Sequence, residues 1–368
     1  MKTGIASPFG LAMTTFFWRY ELRLGTLKRS FNVFSMLLYA KIFRKRIPVR
    51  IAFQLTTKCN MRCTYCYANF DTYKHLKDLT KEQIFGLFDE FYSKGCRWIW
   101  FLGGEPMVRK DFGEIIDYAQ KKGMFCDMNS NGVLINENNI DIVKKLDAVC
   151  VSVDGNEESN DFYRGQGSFK KEIEAIKLLR KHGVKVRLHS ILTRKSYKGL
   201  DDMVKMAKEL DVTFNYCEVL RENREEDHYL TPEQHKEFYD KYLAYKKQGA
   251  PIIHSVKTIE YMMKWPKKEG DLIYTEEKDK YNKKDYVKCV SGDLQMFFDV
   301  DGRMYACNGT WENGLSYFDV GFDKAWDYLK ERKCVSCKCI GMVELHTLLD
   351  LHVNSIFSGI KNILRLQR

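Results

Sequence analysis

Residues 50–66 read Arg50-Ile51-Ala52-Phe53-Gln54-Leu55-Thr56-Thr57-Lys58-Cys59-Asn60-Met61-Arg62-Cys63-Thr64-Tyr65-Cys66. Seven strand-forming residues, RIAFQLT, run directly into three cysteines spaced C-x3-C-x2-C. Downstream the text alternates. Thr80, with Gln83 three residues on, is a capping box that opens a helix over 80–94. Strand 97–102, helix 111–122, strand 124–129, helix 136–146, strand 148–153, helix 168–182, strand 184–192, helix 200–210 and strand 212–219 follow. Six strands separated by helices, with short loops, imply an α/β domain over 48–222. Its parallel strands curl into a partial (β/α)6 barrel, and in such folds chemistry collects at the carboxyl ends of the strands.

The flanks differ from this core. Residues 1–47 form an extension in which FNVFSMLLYAKIFRKR, 31–46, is apolar and then sharply basic. Residues 223–284 predict a helical linker region: Thr231-Pro232-Glu233 opens a helix to 248, with Pro at its first position, and a second covers 255–264. Residues 285–340 predict a small auxiliary domain, with a β-hairpin from 286–300 and 303–307 turning at Asp301-Gly302 and a helix at 323–331. Residues 341–368 predict an amphipathic helix with Lys361, Arg365 and Arg368 on its polar side.

Composition narrows the function. The chain has 368 residues, 45% of them hydrophobic, and a net charge of 60 minus 49, or +11. Much of that surplus lies at the ends, including Lys28, Arg29, Lys41, Arg44, Lys45 and Arg46, while the middle mixes both signs. With no Gly/Arg-rich tract and no zinc-finger spacing, nucleic acid is a poor partner. No signal peptide is recognisable, and no run reaches the ~18–20 apolar residues of a membrane span. A cytoplasmic, reducing compartment follows, in which clustered thiols read as metal ligands rather than disulfides. Of the twelve cysteines, Cys96, Cys126, Cys150 and Cys217 stand alone in apolar segments and read as core.

Cys59, Cys63 and Cys66 can wrap three corners of an iron–sulfur cubane and leave the fourth iron open to a substrate-like ligand. Their spacing is not that of a zinc ribbon, which pairs two C-x2-C units. A second group, Cys289, Cys307, Cys334, Cys337 and Cys339, places two cysteines about a hairpin and the others on C-x2-C-x-C. Four such thiolates suit zinc or a cubane.

The first motif resembles the signature of the radical SAM superfamily, over roughly residues 50–220. The resemblance implies a [4Fe–4S] cluster whose open iron is chelated by S-adenosylmethionine. It places Tyr65 near the adenine, and it matches Gly103-Gly104-Glu105-Pro106 to a motif at the methionine amino group. Asn129-Ser130-Asn131-Gly132 and Ser152-Val153-Asp154-Gly155, with Asp161, Arg164 and Gly165 beyond, match positions near the ribose and carboxylate. His189, expected where a strand ends at the barrel mouth, joins the candidate cofactor-binding residues. No catalytic acid or base is named.

Cys289 and Cys307, spaced about Gly302, resemble the start of the auxiliary extension of SPASM/Twitch radical SAM enzymes. The shorter Twitch form, with one auxiliary [4Fe–4S] cluster, fits better, because only Cys339 follows Cys337. Its ligands would be Cys289, Cys307, Cys334 and Cys337, with Cys339 as the alternative fourth. The resemblance further implies a one-electron donor such as flavodoxin or ferredoxin, a 5′-deoxyadenosyl radical and hydrogen abstraction from a substrate. The basic amphipathic ends suggest peripheral attachment to an anionic inner-membrane face and a lipid or isoprenoid substrate. Peptide modification, small-molecule dehydrogenation, and a non-catalytic iron–sulfur or zinc protein are the alternatives.

Overall fold

The computed structural model describes residues 8–66, 76–219, 228–265, 273–274, 280, 286–307 and 314–349, with side chains from residue 24 onward. Helix α1 (Pro8–Ile42) precedes β1 (Arg50–Gln54), α2 (Lys81–Ser93), β2 (Trp98–Leu102), α3 (Phe112–Lys121) and β3 (Phe125–Ser130). Then come α4 (Ile140–Val143), β4 (Ala148–Ser152), α5 (Glu157–Arg164), α6 (Ser168–Lys181), β5 (Val186–Leu192), α7 (Leu200–Glu209) and β6 (Thr213–Glu218). Next are α8 (Pro232–Lys247), α9 (Val256–Met263), β7 (Ile273–Tyr274), β8 (Gln295–Phe298), β9 (Arg303–Tyr305) and β10 (Leu315–Ser316). The described chain closes with α10 (Tyr317–Val320), α11 (Phe322–Tyr328), β11 (Cys334–Ser336) and α12 (Ile340–Leu349).

The main sheet runs β10-β9-β8-β1-β2-β3-β4-β5-β6. All pairs from β8 to β6 are parallel, and β8-β9 and β9-β10 are antiparallel. The six expected parallel strands are present in the expected order, which is the partial-barrel core. The sequence does not show that the hairpin joins it: β8 docks parallel to β1, and Phe53 stacks on Phe298 with centroids 5.4 Å apart.

Strand residues alternate between two faces. Ile51, Phe53, Ile99, Phe101, Met128, Val151 and Leu188 turn outward into the main apolar core with α2, α3, α6 and α7. Phe88, Phe91, Phe101 and Phe112 are fully enclosed there, and each such side chain contributes about 1.5–3 kcal/mol over leaving it in water. The other face carries Arg50, Gln54, Trp100, Asp127, Asn129, Ser152, Arg187, His189 and Asn215 and lines the concave side of the barrel.

Local chemistry explains most helix boundaries. Thr80 with Gln83 and Thr231 with Gln234 form complete capping boxes, the second with Pro232 at the first helical position. The helix expected over 136–146 is a single turn, because Asn136 Oδ1 accepts from the Asn138 amide and Asn139 Oδ1 from the Asn136 amide, both at 2.9 Å. Such side-chain turns compete with helical hydrogen bonds. The sequence reading contained no helix at 157–164, yet α5 forms there behind an Asn156/Ser159 capping box. The hairpin arm expected over 286–300 is a strand only at Gln295–Phe298.

Helix α1 packs where the strands begin. Arg29 forks onto Asp147 at 2.6–3.0 Å, just before β4, and Asn32 Nδ2 donates to the Gly123 carbonyl, just before β3. Helix α12, the start of the expected amphipathic terminal helix, buries Ile340, Val343, His346, Thr347 and Leu349, so 340–349 is docked on the body. The rest of that expectation, 350–368, lies outside the described residues.

Candidate functional site

Cys59, Cys63 and Cys66 occupy one loop beyond the carboxyl end of β1, all half-buried. The loop after β2 closes on it: Gly104 N donates to Thr56 O at 2.8 Å and Glu105 N to Lys58 O at 2.9 Å. A Cβ on Gly104 would stand 2.2 Å from the Lys58 oxygen, and one on Gly103, at φ +154°, 2.8 Å from the Thr56 oxygen. Only glycine allows this approach. From the other side Thr64 N donates to Tyr163 O at 3.0 Å. Burial pushes the Cys59 thiol up and the Cys63 thiol up to about 11. Thiols so placed ionise readily only against bound metal charge, which inverts that preference.

Behind the loop lies a buried ionic cluster. Arg164 donates through Nε to Asp154 Oδ2 at 2.8 Å, the Tyr65 hydroxyl donates to the same oxygen, and Ile191 N donates to Oδ1 at 2.8 Å. Asp154 is fully enclosed, so its carboxylate is committed to the protein and positions Tyr65. Glu105 is likewise 1% exposed; Ser130 Oγ, Asn131 N and Met107 N donate to it at 2.7–3.1 Å. Burial raises its pKa to about 7 against those three bonds. It clamps the loop after β2 to that after β3. Asp161 accepts from the Gly167 and Phe169 amides and holds the start of α6. Asn131 Nδ2 reaches Asn60 Oδ1 at 2.8 Å and lies 3.9 Å from Cys59 Sγ. Asn129 Oδ1 accepts from Trp100 Nε1 at 3.0 Å on the concave face.

His189 is not at a strand end. It lies in the middle of β5, in register with Ser152 and Asn215, and its Nδ1 is 2.9 Å from Asn215 Nδ2. Burial, helped by Arg187, lowers its pKa to about 4 and keeps the imidazole neutral. Deeper in the barrel Arg50 stacks over Trp98 and Trp100, 4.8 and 4.1 Å from their centroids. Its Nε has no hydrogen-bond partner among the described residues. Arg50 and Arg187 face one carboxylate, Asp127, which accepts from Trp98 Nε1 at 2.7 Å. Among the described residues that leaves one more cation than carboxylates at this point.

The second thiol group is assembled from separate segments. Cys289 N donates to Val335 O at 2.9 Å, Ser336 Oγ to Val287 O at 2.7 Å, and Tyr261 OH to Cys337 O at 3.0 Å. Cys337 is pushed up by burial and by the neighbouring Cys339, Cys289 and Cys307, and Cys334 by burial and Cys289. Cys339 is raised first by its hydrogen bond with Cys217, at the end of β6, and then by burial. Cys289 Sγ lies 3.8 Å from His346 Nε2; burial opposes its ionisation, but His346 and Arg332 outweigh burial and lower it to about 6. Sequence reasoning missed His346, which stands in an apolar helix with no ligand spacing, and set Cys217 aside as core. Among the described residues no three Cys, His, Asp or Glu side chains crowd around a single ion position.

Residues 53–213 match the family model of the radical SAM superfamily. The Fe-coproporphyrin III synthase of Methanosarcina barkeri is 32% identical over 162 residues, 43% of this chain and 41% of that protein. The mycofactocin maturase MftC of Mycolicibacterium smegmatis is 29% identical over 204 residues, 52% of this chain and 51% of that protein. The chain thus matches about half or less of the length of these curated relatives. The solved structure of anSMEcpe with bound AdoMet and the Cp18Cys peptide shares the fold, with a TM-score of 0.57 at 19% identity, over 81% of this chain and 83% of that one.

Proposed function

Because residues 53–213 match the family model of the radical SAM superfamily, we propose that Cys59, Cys63 and Cys66 hold a [4Fe–4S] cluster that binds S-adenosylmethionine, making the protein a radical enzyme. The supporting observation is the three-thiol loop after β1 on which Gly103 and Gly104 close. Held there and reduced, such a cluster would supply the electron for reductive cleavage of S-adenosylmethionine and, through it, hydrogen abstraction from substrate. The chain's residues bind and orient. Gly103 and Gly104 let the loop after β2 close against the thiol loop, and Pro106 continues that loop as a short 3₁₀ turn. Asp154 and Arg164 hold Tyr65 in place for the adenine. Asn129, Ser130 and Ser152 end their strands beside this region, and neutral His189 with Asn215 offers hydrogen bonds without adding charge. Glu105, already accepting three bonds, acts by fixing the loops.

Cys289, Cys307, Cys334 and Cys337 form the proposed auxiliary [4Fe–4S] site of SPASM/Twitch type. The Cys339 bond to Cys217 supports Cys337 over Cys339 as fourth ligand. The electron donor proposed is flavodoxin- or ferredoxin-like, in a cytoplasmic setting; no described helix is long and apolar enough to cross a membrane.

Anaerobic reconstitution followed by dithionite and S-adenosylmethionine tests this function. 5′-Deoxyadenosine is expected from the wild type and only background from Cys59→Ala, Cys63→Ala and Cys66→Ala. Equal yields from all four would leave a non-catalytic iron–sulfur protein.

A peptide is the proposed substrate. The structural likeness to the peptide-bound anSMEcpe covers 81% of this chain, well beyond the radical SAM domain, and MftC is named as a maturase. A carboxylate-rich small molecule is the second reading. The surplus cation of Arg50 and Arg187 inside the barrel favours it, and one relative is named for coproporphyrin chemistry. Deuterium transfer into 5′-deoxyadenosine from labelled candidates separates the two. The lipid or isoprenoid expectation rests on the terminal stretches alone, and α1 lies at the far end of the strands from the thiols.

A further inference from the structure

Helix α1 is apolar on two sides, and the protein covers one of them. On the covered side Val33, Met36, Leu37 and Ala40 pack against Ile47, Val49, Trp98, Val290 and Leu349. On the other, Leu24, Leu27, Phe31, Phe34, Leu38 and Ile42 are 40–67% exposed. Their steps of three and four residues put them on one helical stripe. Tyr39 and Phe43 are exposed beside it. These eight are most of the thirteen large hydrophobics exposed among the described residues, so the apolar surface is concentrated here rather than scattered. An apolar helix face of this kind is normally covered.

The charges around the stripe select what covers it. Residues 24–46 contain no Asp or Glu. Lys28, Arg44 and Lys45 are exposed, whereas Arg29 is bound to Asp147 and Arg46 to Asp293. Two copies of such a helix packed antiparallel would bring the basic end of each against Lys28 of the other. An acidic surface of low curvature meets both the apolar stripe and the exposed cations of Lys28, Arg44 and Lys45.

We infer that α1 docks the protein onto an anionic lipid surface, its apolar stripe in the interface and its exposed lysines and arginine against the headgroups. The docking edge is opposite the candidate site. Helix α1 meets the chain at Ile47, Gly123 and Asp147, before β1, β3 and β4, whereas Cys59, Gly103 and Asp154 follow the other ends of the parallel strands. One strand of five residues separates the two ends by about 16 Å. The mouth of the barrel therefore points away from the bilayer, and the helix tethers the enzyme without feeding lipid into the site. This inference does not depend on the chemistry proposed above.

Flotation of the full chain with vesicles of phosphatidylcholine alone, and of phosphatidylcholine mixed with phosphatidylglycerol, tests it. The wild type is expected to float with the mixed vesicles and to be released by high salt. Phe31→Ser, Phe34→Ser and Ile42→Ser, at exposed positions that the fold does not need, should each weaken partitioning about tenfold. Arg44→Gln with Lys45→Gln should weaken it only on the anionic vesicles. Formation of 5′-deoxyadenosine should be unchanged in every variant, with or without vesicles. A wild type that stays in the aqueous fraction overturns the inference, and retained 5′-deoxyadenosine would leave the proposed function standing. Equal flotation of the serine variants overturns the assignment to α1. A dimer by light scattering that buries this helix and does not float also overturns it.

Discussion

The three thiols at 59–66 come from a single eight-residue loop, whereas Cys289, Cys307 and the Cys334/Cys337 pair come from three places along the chain. The first loop is held by protein alone: the Gly104 and Glu105 amides on one side, the Tyr163 carbonyl on the other, and Tyr65 anchored to Asp154. Among the described residues few backbone bonds join the segments of the second group, and closing long loops costs chain entropy. A cluster there would contribute to folding as well as chemistry. On the proposed assignment, the contrast is between a site that waits for its metal and a site completed by it.

Removing a thiol from each side would sharpen that contrast most. Cys63→Ala is expected to lower 5′-deoxyadenosine to background while leaving the melting temperature nearly unchanged. Cys337→Ala is expected to lower both the iron content, by about four per chain, and the melting temperature, with 5′-deoxyadenosine still formed. A Cys337→Ala protein that melts like the wild type would break the comparison. The next largest effect is expected at Asp154→Ala. It takes from buried Arg164 the carboxylate it is bonded to, which costs about 3–5 kcal/mol, read as a loss in the denaturant midpoint. A smaller effect separates the two candidate fourth ligands. Cys339→Ser should keep the iron that Cys337→Ser loses, because its thiol is directed to Cys217; iron analysis and electron paramagnetic resonance of both variants check this.

The same contrast explains what the sequence made legible. The 59–66 spacing, the glycines at 103 and 104 and the strand–helix alternation are local, so each element carries its own signal. The capping boxes at Thr80 and Thr231 marked their helices for the same reason. What the sequence concealed is non-local. Nothing near Gln295 says that β8 will pair with β1, and nothing near His346 says that its ring will meet Cys289. The helix at 136–146 failed on a different competition, because Asn136 and Asn139 bond their own backbone. Tyr65, Asp154 and Arg164 were named as separate ligand contacts, and only the fold shows that they bind one another.

The pinned site also carries an acid whose titration can test its rigidity. Glu172 on α6 is fully enclosed beside Arg164 and Asp154. Burial raises its pKa from 4.5 to about 8; Asp154 adds to the rise and Arg164 opposes it. In the folded chain it therefore keeps its proton through the range in which an unfolded chain releases it. Stability from this group is complete below the ordinary carboxylate value of 4.5 and declines as pH rises toward about 8. The decline is at most ~1.4 kcal/mol for each pH unit crossed. Glu172→Gln cannot ionise and should flatten that slope, so the variant gains on the wild type between about pH 5 and pH 8, measured as the difference in their denaturant midpoints. Parallel curves would mean that water reaches Glu172, and that the packing behind the first loop is looser than the buried Asp154–Arg164 pair requires.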